Sequence, residues 1–267
     1  MCECRDAIGI FDSGVGGLTV LGSIWERLPH EPTIYLGDTA RVPYGTKSAD
    51  TVIRYAQACS RFLLERGVKL LVVACNTASA YAVDALRAQH DIPVLGVIEP
   101  GAQVAAQVTR NGRVGVIGTA GTVNSGAYSR ALAATGRDVE VFSAACPLFV
   151  PLAEEGWTEG PVPRQVAERY LGGILARDID TLILGCTHYP LLKGVIADTV
   201  GPSVRLVDSA EATSRAVAEI LDGTPLHRSD GSEPERQFLV SDSPEAFARV
   251  GERFLGRGIG PVTWVDF

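Results

Sequence analysis

Short, nearly continuous apolar runs rich in Val, Ile and Leu recur along this chain, and longer amphipathic stretches separate them. Runs at 7–11, 33–36, 70–74, 94–97, 114–117, 139–143, 181–184, 204–207 and 237–240 have the length and branching of strands buried on both faces. Helical patterns stand between them at 48–66, 79–89, 125–135, 163–177 and 209–221. A strand that is apolar on both faces needs helices above and below it. Parallel neighbours also need a crossover long enough to hold a helix. The alternation therefore restricts the chain to an α/β architecture with mostly parallel sheets.

The pattern occurs twice. Ile8-Gly9-Ile10-Phe11-Asp12-Ser13-Gly14 resembles Val114-Gly115-Val116-Ile117-Gly118-Thr119-Ala120, and Leu71-Val72-Val73-Ala74-Cys75-Asn76-Thr77 resembles Leu182-Ile183-Leu184-Gly185-Cys186-Thr187-His188. The second pair follows the first at nearly the same spacing in both halves. Two similar α/β units produce this pattern. We place the second at 98–208 and build the first from 1–97 together with 209–267. The expected fold is two pseudo-symmetric domains, each a mostly parallel sheet flanked by helices, with a cleft between them. The polar segment 227–236, with Pro, Gly and Ser, reads as a surface loop.

Composition narrows the function. The 267 residues carry a formal net charge of −7, and no run of four Lys or Arg occurs, so the footprint of a nucleic-acid binder is missing. An acidic chain binds an acidic ligand through local donors, not through its overall field. The start, Met1 to Asp6, is charged and lacks the apolar core of a signal peptide, and no apolar run is long enough to span a bilayer. A cytoplasmic address is the expectation. Six cysteines occur, none in a C-x-x-C pair. Cys2 and Cys4 form C-x-C with no second pair to complete a zinc site, so no metal is expected. Reduced thiols are expected throughout, with Cys59 and Cys146 as small buried apolar residues.

In open parallel sheets, ligands bind beyond the carboxyl ends of the strands. Four such ends carry polar chemistry: Asp12-Ser13, Cys75-Asn76-Thr77, Thr119 to Thr122, and Cys186-Thr187-His188. Asn76, Thr77 and Thr187 are helix-capping types, and Pro190 suits the opening of a helix. A thiol at a helix N-terminus feels the positive end of the macrodipole, which lowers its pKa and makes thiolate available. The same turns attract carboxylates. Two thiols, one per unit, would face each other across the cleft. Inverting a Cα centre requires a base on one face and an acid on the other, with the roles exchanged in reverse. A matched pair of tuned thiols meets that demand.

Other roles compete for these residues. A lone cysteine after a strand is most often structural, but the twofold occurrence favours a catalytic pair. Asp12 either orients a substrate ammonium or assists the nearer thiol, or else caps the turn at Gly14–Leu18. His188, two residues from Cys186, is placed to assist proton transfer. Gly14-Val15-Gly16-Gly17 departs from G-x-G-x-x-G, since Thr19 stands where the last glycine belongs. It reads as a tight turn allowing close backbone approach to a small ligand. A pyridoxal phosphate route would need a Schiff-base lysine. None of Lys47, Lys69 and Lys193 sits at a clear strand end.

Taken in order, these motifs resemble the glutamate racemases of the aspartate/glutamate racemase superfamily. The matching segments are Asp12-Ser13-Gly14-Val15-Gly16-Gly17-Leu18, Pro43-Tyr44-Gly45, Cys75-Asn76-Thr77, Gly118-Thr119 with Thr122-Val123 and Ser125, Cys146 to Leu152, and Gly185-Cys186-Thr187-His188-Tyr189-Pro190. They span most of the chain, with no departure at the core motifs. The resemblance implies cofactor-independent interconversion of L- and D-glutamate, supplying D-glutamate for peptidoglycan. It implies Cys75 and Cys186 as the acid/base pair, with Asp12 and His188 assisting. Asp12, Ser13, Tyr44, Gly45, Asn76, Thr77, Thr119, Thr122, Thr187 and His188 would line the substrate pocket. The family's auxiliary glutamate falls on Glu154, with Glu155 beside it as the alternative. Cys75 is expected to deprotonate the D enantiomer. Family members dimerise in several ways, so a homodimer is a further expectation.

Three rival readings stand beside this one. A related racemase or isomerase would act on aspartate, hydantoin or maleate. A cysteine hydrolase would use Cys186 with His188 and leave Cys75 dispensable. A binding module for an acidic ligand would leave both thiols without a task.

Overall fold

The computed structural model describes residues 6–228 and 231–267. Cys2, Cys4 and residues 229 and 230 of the 227–236 loop lie outside the described residues. Among the described residues the strands are β1 (Ala7–Asp12), β2 (Thr33–Gly37), β3 (Val68–Val73), β4 (Val94–Gly96), β5 (Arg113–Gly118), β6 (Glu140–Ala145), β7 (Thr181–Gly185), β8 (Arg205–Asp208), β9 (Arg236–Val240) and β10 (Val262–Trp264). They form two sheets with strand orders β10-β9-β2-β1-β3-β4 and β6-β5-β7-β8, and every pairing is parallel.

Within the larger sheet, β2-β1-β3-β4 has the same order as β6-β5-β7-β8. The first strand of each set lies between the second and third, and the fourth lies outside the third. This topological match is the structural counterpart of the repeat in the sequence. It makes β3 equivalent to β7, so Cys75 and Cys186 leave equivalent strand ends.

Helices cover both faces of each sheet, and alternation along the strands explains how. Ile8 and Ile10 of β1 join a core with Leu18, Leu21 and Ile24 of helix Leu18–Arg27, whereas Phe11 joins Val52, Cys59 and Leu63 of helix Ala49–Leu64 on the other face. In the smaller sheet, Val116 and Ile183 meet Ile98 and Ala105 of helix Ile98–Val108, while Leu182 and Leu184 meet Leu171. Helix Ser209–Leu221 follows β8 and packs against Leu18–Arg27, leading the chain back toward the larger sheet.

Several elements depart from the sequence reading. Helix Asn76–Gln89 begins directly after Cys75, not at 79, because its first residues are buried polar groups that apolar periodicity does not register. Helix Ile98–Val108 carries Pro100 and Gly101, which weaken the helical signal, although proline is tolerated in a first turn. Helices Leu18–Arg27, Phe149–Glu155 and Pro244–Leu255 were also not anticipated, and neither was the short edge strand β10. Strand β6 runs to Ala145, beyond the expected 139–143.

Lys69, near the start of β3, is fully buried and lies 2.5 Å from Glu31 Oε2. Its Nζ also donates to the Leu226 carbonyl at 2.6 Å, and the Arg228 amide donates to Glu31 Oε1 at 2.8 Å. This cluster fastens the chain near 226–228 to the amino-terminal edge of the large sheet, opposite the strand ends that carry the cysteines. Removing one partner leaves a buried charge uncompensated. Glu31→Ala is therefore expected to cost about 3 kcal/mol in urea unfolding, with Glu31→Leu/Lys69→Met recovering most of the loss. Equal losses in the two variants would contradict this account.

Candidate active site

Cys75 is the N-cap of the 14-residue helix Asn76–Gln89. Its thiol is buried and lies 3.6 Å from Ser13 Oγ. The sequence reading expected the helix terminus to lower this pKa. The structure shows the reverse. Burial pushes the thiol up to about 12, and the carboxylate of Asp12 adds to the rise against the Ala78 amide and Ser13. Desolvation outweighs the helix dipole while no cation is at hand.

Because Cys75 occupies the cap, Asn76 and Thr77 are the first helical residues and do not act as caps. Asn76 Oδ1 accepts a hydrogen bond from Tyr128 at 2.7 Å, and its Nδ2 is buried without a hydrogen-bond partner. The Thr77 hydroxyl lies 2.9 Å from that of Thr119 and 3.3 Å from that of Thr122, which are themselves 3.1 Å apart. Thr119 also caps helix Ala120–Asn124 by accepting from the Thr122 amide. This triangle of hydroxyls joins the turn after β3 to the turn after β5.

Cys186 differs from Cys75 in its surroundings. No α-helix begins at it; the turn through Thr187 and His188 leads into a short 3-10 segment, Tyr189–Leu192, and only then into helix Lys193–Val200. The expectation of a helix N-terminus at both thiols holds for Cys75 alone. In place of a long helix, Cys186 has His188, with Sγ 3.9 Å from Nδ1. Nε2 of the same ring lies 2.9 Å from Glu154 Oε1. Burial, the largest influence, opposes the charged imidazole. The bonds to Cys186 and Glu154 and the charges of Cys186 and Asp12 overcome it, raising the His188 pKa to about 10. Of the adjacent pair of glutamates, Glu154 reaches His188, while Glu155 at the helix end is exposed.

Asp12 closes the cluster at the end of β1. Its carboxyl is buried, Oδ2 accepts from the Gly14 amide at 3.0 Å, and Oδ1 has no hydrogen-bond partner. Burial raises its pKa, against the charge of His188 and the amides of the following turn. Asp12 thus holds its turn and keeps one oxygen uncommitted. Cys75 feels the charges of both Asp12 and Cys186, so groups from the two sheets share one electrostatic site.

The glycines around this site act first on the protein itself. A side chain at Gly16 would collide with Thr187 and His188, and one at Gly45 would lie 2.8 Å from Thr119 Cβ. The 14–17 turn, read from sequence as an approach to a ligand, therefore also lets the turn after β1 close onto the one after β7. The Tyr44 hydroxyl is committed to Asp38 at 2.5 Å, which leaves the backbone of Tyr44 and Gly45 on the side of Thr119 and Gly121. Cys59 and Cys146 are fully buried. Among the described residues, no group of three His, Cys, Asp or Glu side chains is arranged to hold a metal, and no helix is long and apolar enough to cross a membrane. Sequence reasoning missed Tyr128 and Phe254, whose ring meets His188 edge-on at 5.0 Å. Both lie in helical faces whose only signal was apolarity.

The Asp/Glu/Hydantoin racemase family model matches residues 21–217. A glutamate racemase of Geobacter metallireducens is 60% identical over 97% of this chain and 96% of its own length. Among solved structures, a glutamate racemase isoform from Bacillus anthracis has a TM-score of 0.95 at 40% identity, covering 99% of this chain and 98% of that one. A glutamate racemase from Francisella tularensis, solved in complex with D-glutamate, has a TM-score of 0.92 at 39% identity, covering 98% of each chain.

His188 titrates near 10 in the folded chain against an ordinary value of 6.5. The native state holds the extra proton, so this stabilisation is whole below about 6.5 and drains as pH rises through about 10. Cys75, raised from 9.0 to about 12, adds a loss of the same sign at higher pH. The melting temperature is expected to fall between about pH 7 and about pH 10, and Glu154→Gln, which weakens the hold on the imidazolium, should flatten that fall. The same slope in both proteins would remove His188 as its source.

Proposed function

This chain belongs to the Asp/Glu/Hydantoin racemase family, and we propose that it racemises glutamate by passing protons between Cys75 and Cys186. The observation that carries the proposal is the placement of two buried thiols after the equivalent strands β3 and β7, on edges whose turns meet where Gly16 packs against Thr187 and His188. Relatives named as glutamate racemases, matched over nearly their whole length, support glutamate as the substrate over aspartate or hydantoin.

In this reading Cys75 is a neutral thiol before substrate binds, because burial and Asp12 disfavour its charge. The α-ammonium of a bound amino acid supplies the missing positive charge and lowers the thiol's pKa, so that the thiol releases its proton to solvent as the substrate enters and stands as thiolate. Asp12, with one free carboxylate oxygen, is the partner for that ammonium. One thiolate then removes the Cα proton, and the opposite cysteine, as thiol, delivers its own proton to the other face. Each turnover leaves the thiolate on the opposite wall, ready for the reverse direction. Cys75 deprotonates the D form and Cys186 the L form, with His188 and Glu154 managing the proton on the Cys186 side. Asn76, Thr77, Thr119, Thr122 and Thr187, with the backbone at Ser13 and Gly45, supply the local donors that hold two carboxylates on a chain of net charge −7.

The division into 1–97 with 209–267 and 98–208 belongs to the same reading, and the membership of the two sheets supports it. A homodimeric assembly and a cytoplasmic role supplying D-glutamate for peptidoglycan are further parts of this proposal.

In D₂O without added cofactor, L-glutamate is expected to lose its circular dichroism while gaining deuterium at Cα. Cys75→Ser and Cys186→Ser should each lower turnover by roughly two orders of magnitude or more. A Cys75→Ser protein that still racemises at near the parent rate would shift the assignment toward chemistry at Cys186 alone.

A further inference from the structure

Tyr128 bridges the two thiol-bearing turns. It stands on helix Ala127–Ala134, which follows β5 in the half of the chain that carries Cys186, and it is buried. Its hydroxyl donates to Oδ1 of Asn76, the residue after Cys75, at 2.7 Å. Its ring lies against Gly185, the residue before Cys186, where a methyl group would fall 2.9 Å from Cε2. One side chain thus touches the neighbour of each cysteine.

The hydrogen bond has a chemical consequence. A phenol hydroxyl donating to Oδ1 leaves the amide of Asn76 in one orientation, with Nδ2 as its remaining donor. That nitrogen is buried and has no partner in the protein. An unpaired buried donor is costly to maintain, and it stands one residue from Cys75, where a carboxylate would satisfy it. The ring has a separate consequence. Since Gly185 leaves no room for a Cβ, the aromatic face presses directly on the backbone that leads into Cys186 and limits how far that turn can shift.

We propose that Tyr128 is a positioning residue with two separable duties: its hydroxyl orients Asn76 to receive a substrate carboxylate, and its ring fixes the seat of Cys186 relative to Cys75. The proposal rests on the racemase reading above. The hydroxyl acts on substrate holding, which is equal in ground and transition states, so its loss appears in KM. The ring acts on the alignment of the second thiol, so its loss appears in kcat.

Steady-state kinetics with both glutamate enantiomers test this. Tyr128→Phe keeps the ring, and is expected to raise KM roughly tenfold with kcat nearly unchanged. In an Asn76→Ala background the same substitution should add nothing to KM, because its effect passes through the amide. Tyr128→Leu should lower kcat as well, and thermal melts of both variants monitor folding. An unchanged KM in Tyr128→Phe, or full additivity with Asn76→Ala, would overturn the proposal while the parent protein still racemises glutamate. A parent protein inert toward glutamate would overturn it together with the reading on which it rests.

Discussion

Parallel strands deliver their carboxyl ends to one edge of a sheet, and the chemistry of this chain depends on that constraint. Each apolar strand stops where the chain turns toward solvent or a helix, and the first polar residues after the stop fall on a common edge. Asp12, Cys75, Thr119 and Cys186 all stand at such stops, Asp12 as the last residue of β1 and the others after β3, β5 and β7. Repeating one strand order in both sheets therefore yields two matched edges, each with a thiol after its third strand. The glycines at 16, 45 and 121 then allow backbone and side chains of the two edges to approach within van der Waals contact.

Symmetry at the level of strand order does not extend to the environment of each thiol. Cys75 has a full helix behind it and a buried carboxyl beside it. Cys186 has a short turn behind it and an imidazole beside it, and that imidazole is in turn held by Glu154. Enantiomers are equal in free energy, so racemisation requires only that the two routes share one transition-state region, not that their assistants be identical. The carboxyl of Asp12 opposes a thiolate on Cys75 until a cation arrives, whereas His188 carries its own positive charge.

Much of this was legible in the sequence, for physical reasons. Strand ends are marked by an abrupt change from branched apolar to polar residues, and the doubled pattern around Cys75 and Cys186 needed no structure to be seen. Residues that act through the partner half were harder. Tyr128 and Phe254 sit in helical faces where an aromatic residue signals burial and nothing more, and only the packing shows that one grips Asn76 and the other backs His188. The direction of the Cys75 pKa was misjudged because a helix terminus is a local feature visible in sequence, while desolvation depends on what folds over it. The contrast at Cys186, a 3-10 turn in place of an α-helix, was not legible, because Pro190 marks a helix start without fixing its type: Pro161 and Pro244 open α-helices in the same chain.

The hydroxyl triangle of Thr77, Thr119 and Thr122 would, in the proposed reaction, let an acidic protein hold an acidic ligand. Each hydroxyl is satisfied by another, with distances of 2.9 to 3.3 Å. No charge is buried, so the arrangement costs little when unoccupied, unlike a buried lysine, which this chain uses only where Glu31 neutralises it at the far edge of the sheet. A carboxylate entering the triangle exchanges neutral hydroxyl–hydroxyl bonds for charge-assisted ones, which are about twice as strong. In the proposed reaction a carboxylate would be held by hydroxyls already in place, drawn from both halves of the chain at once.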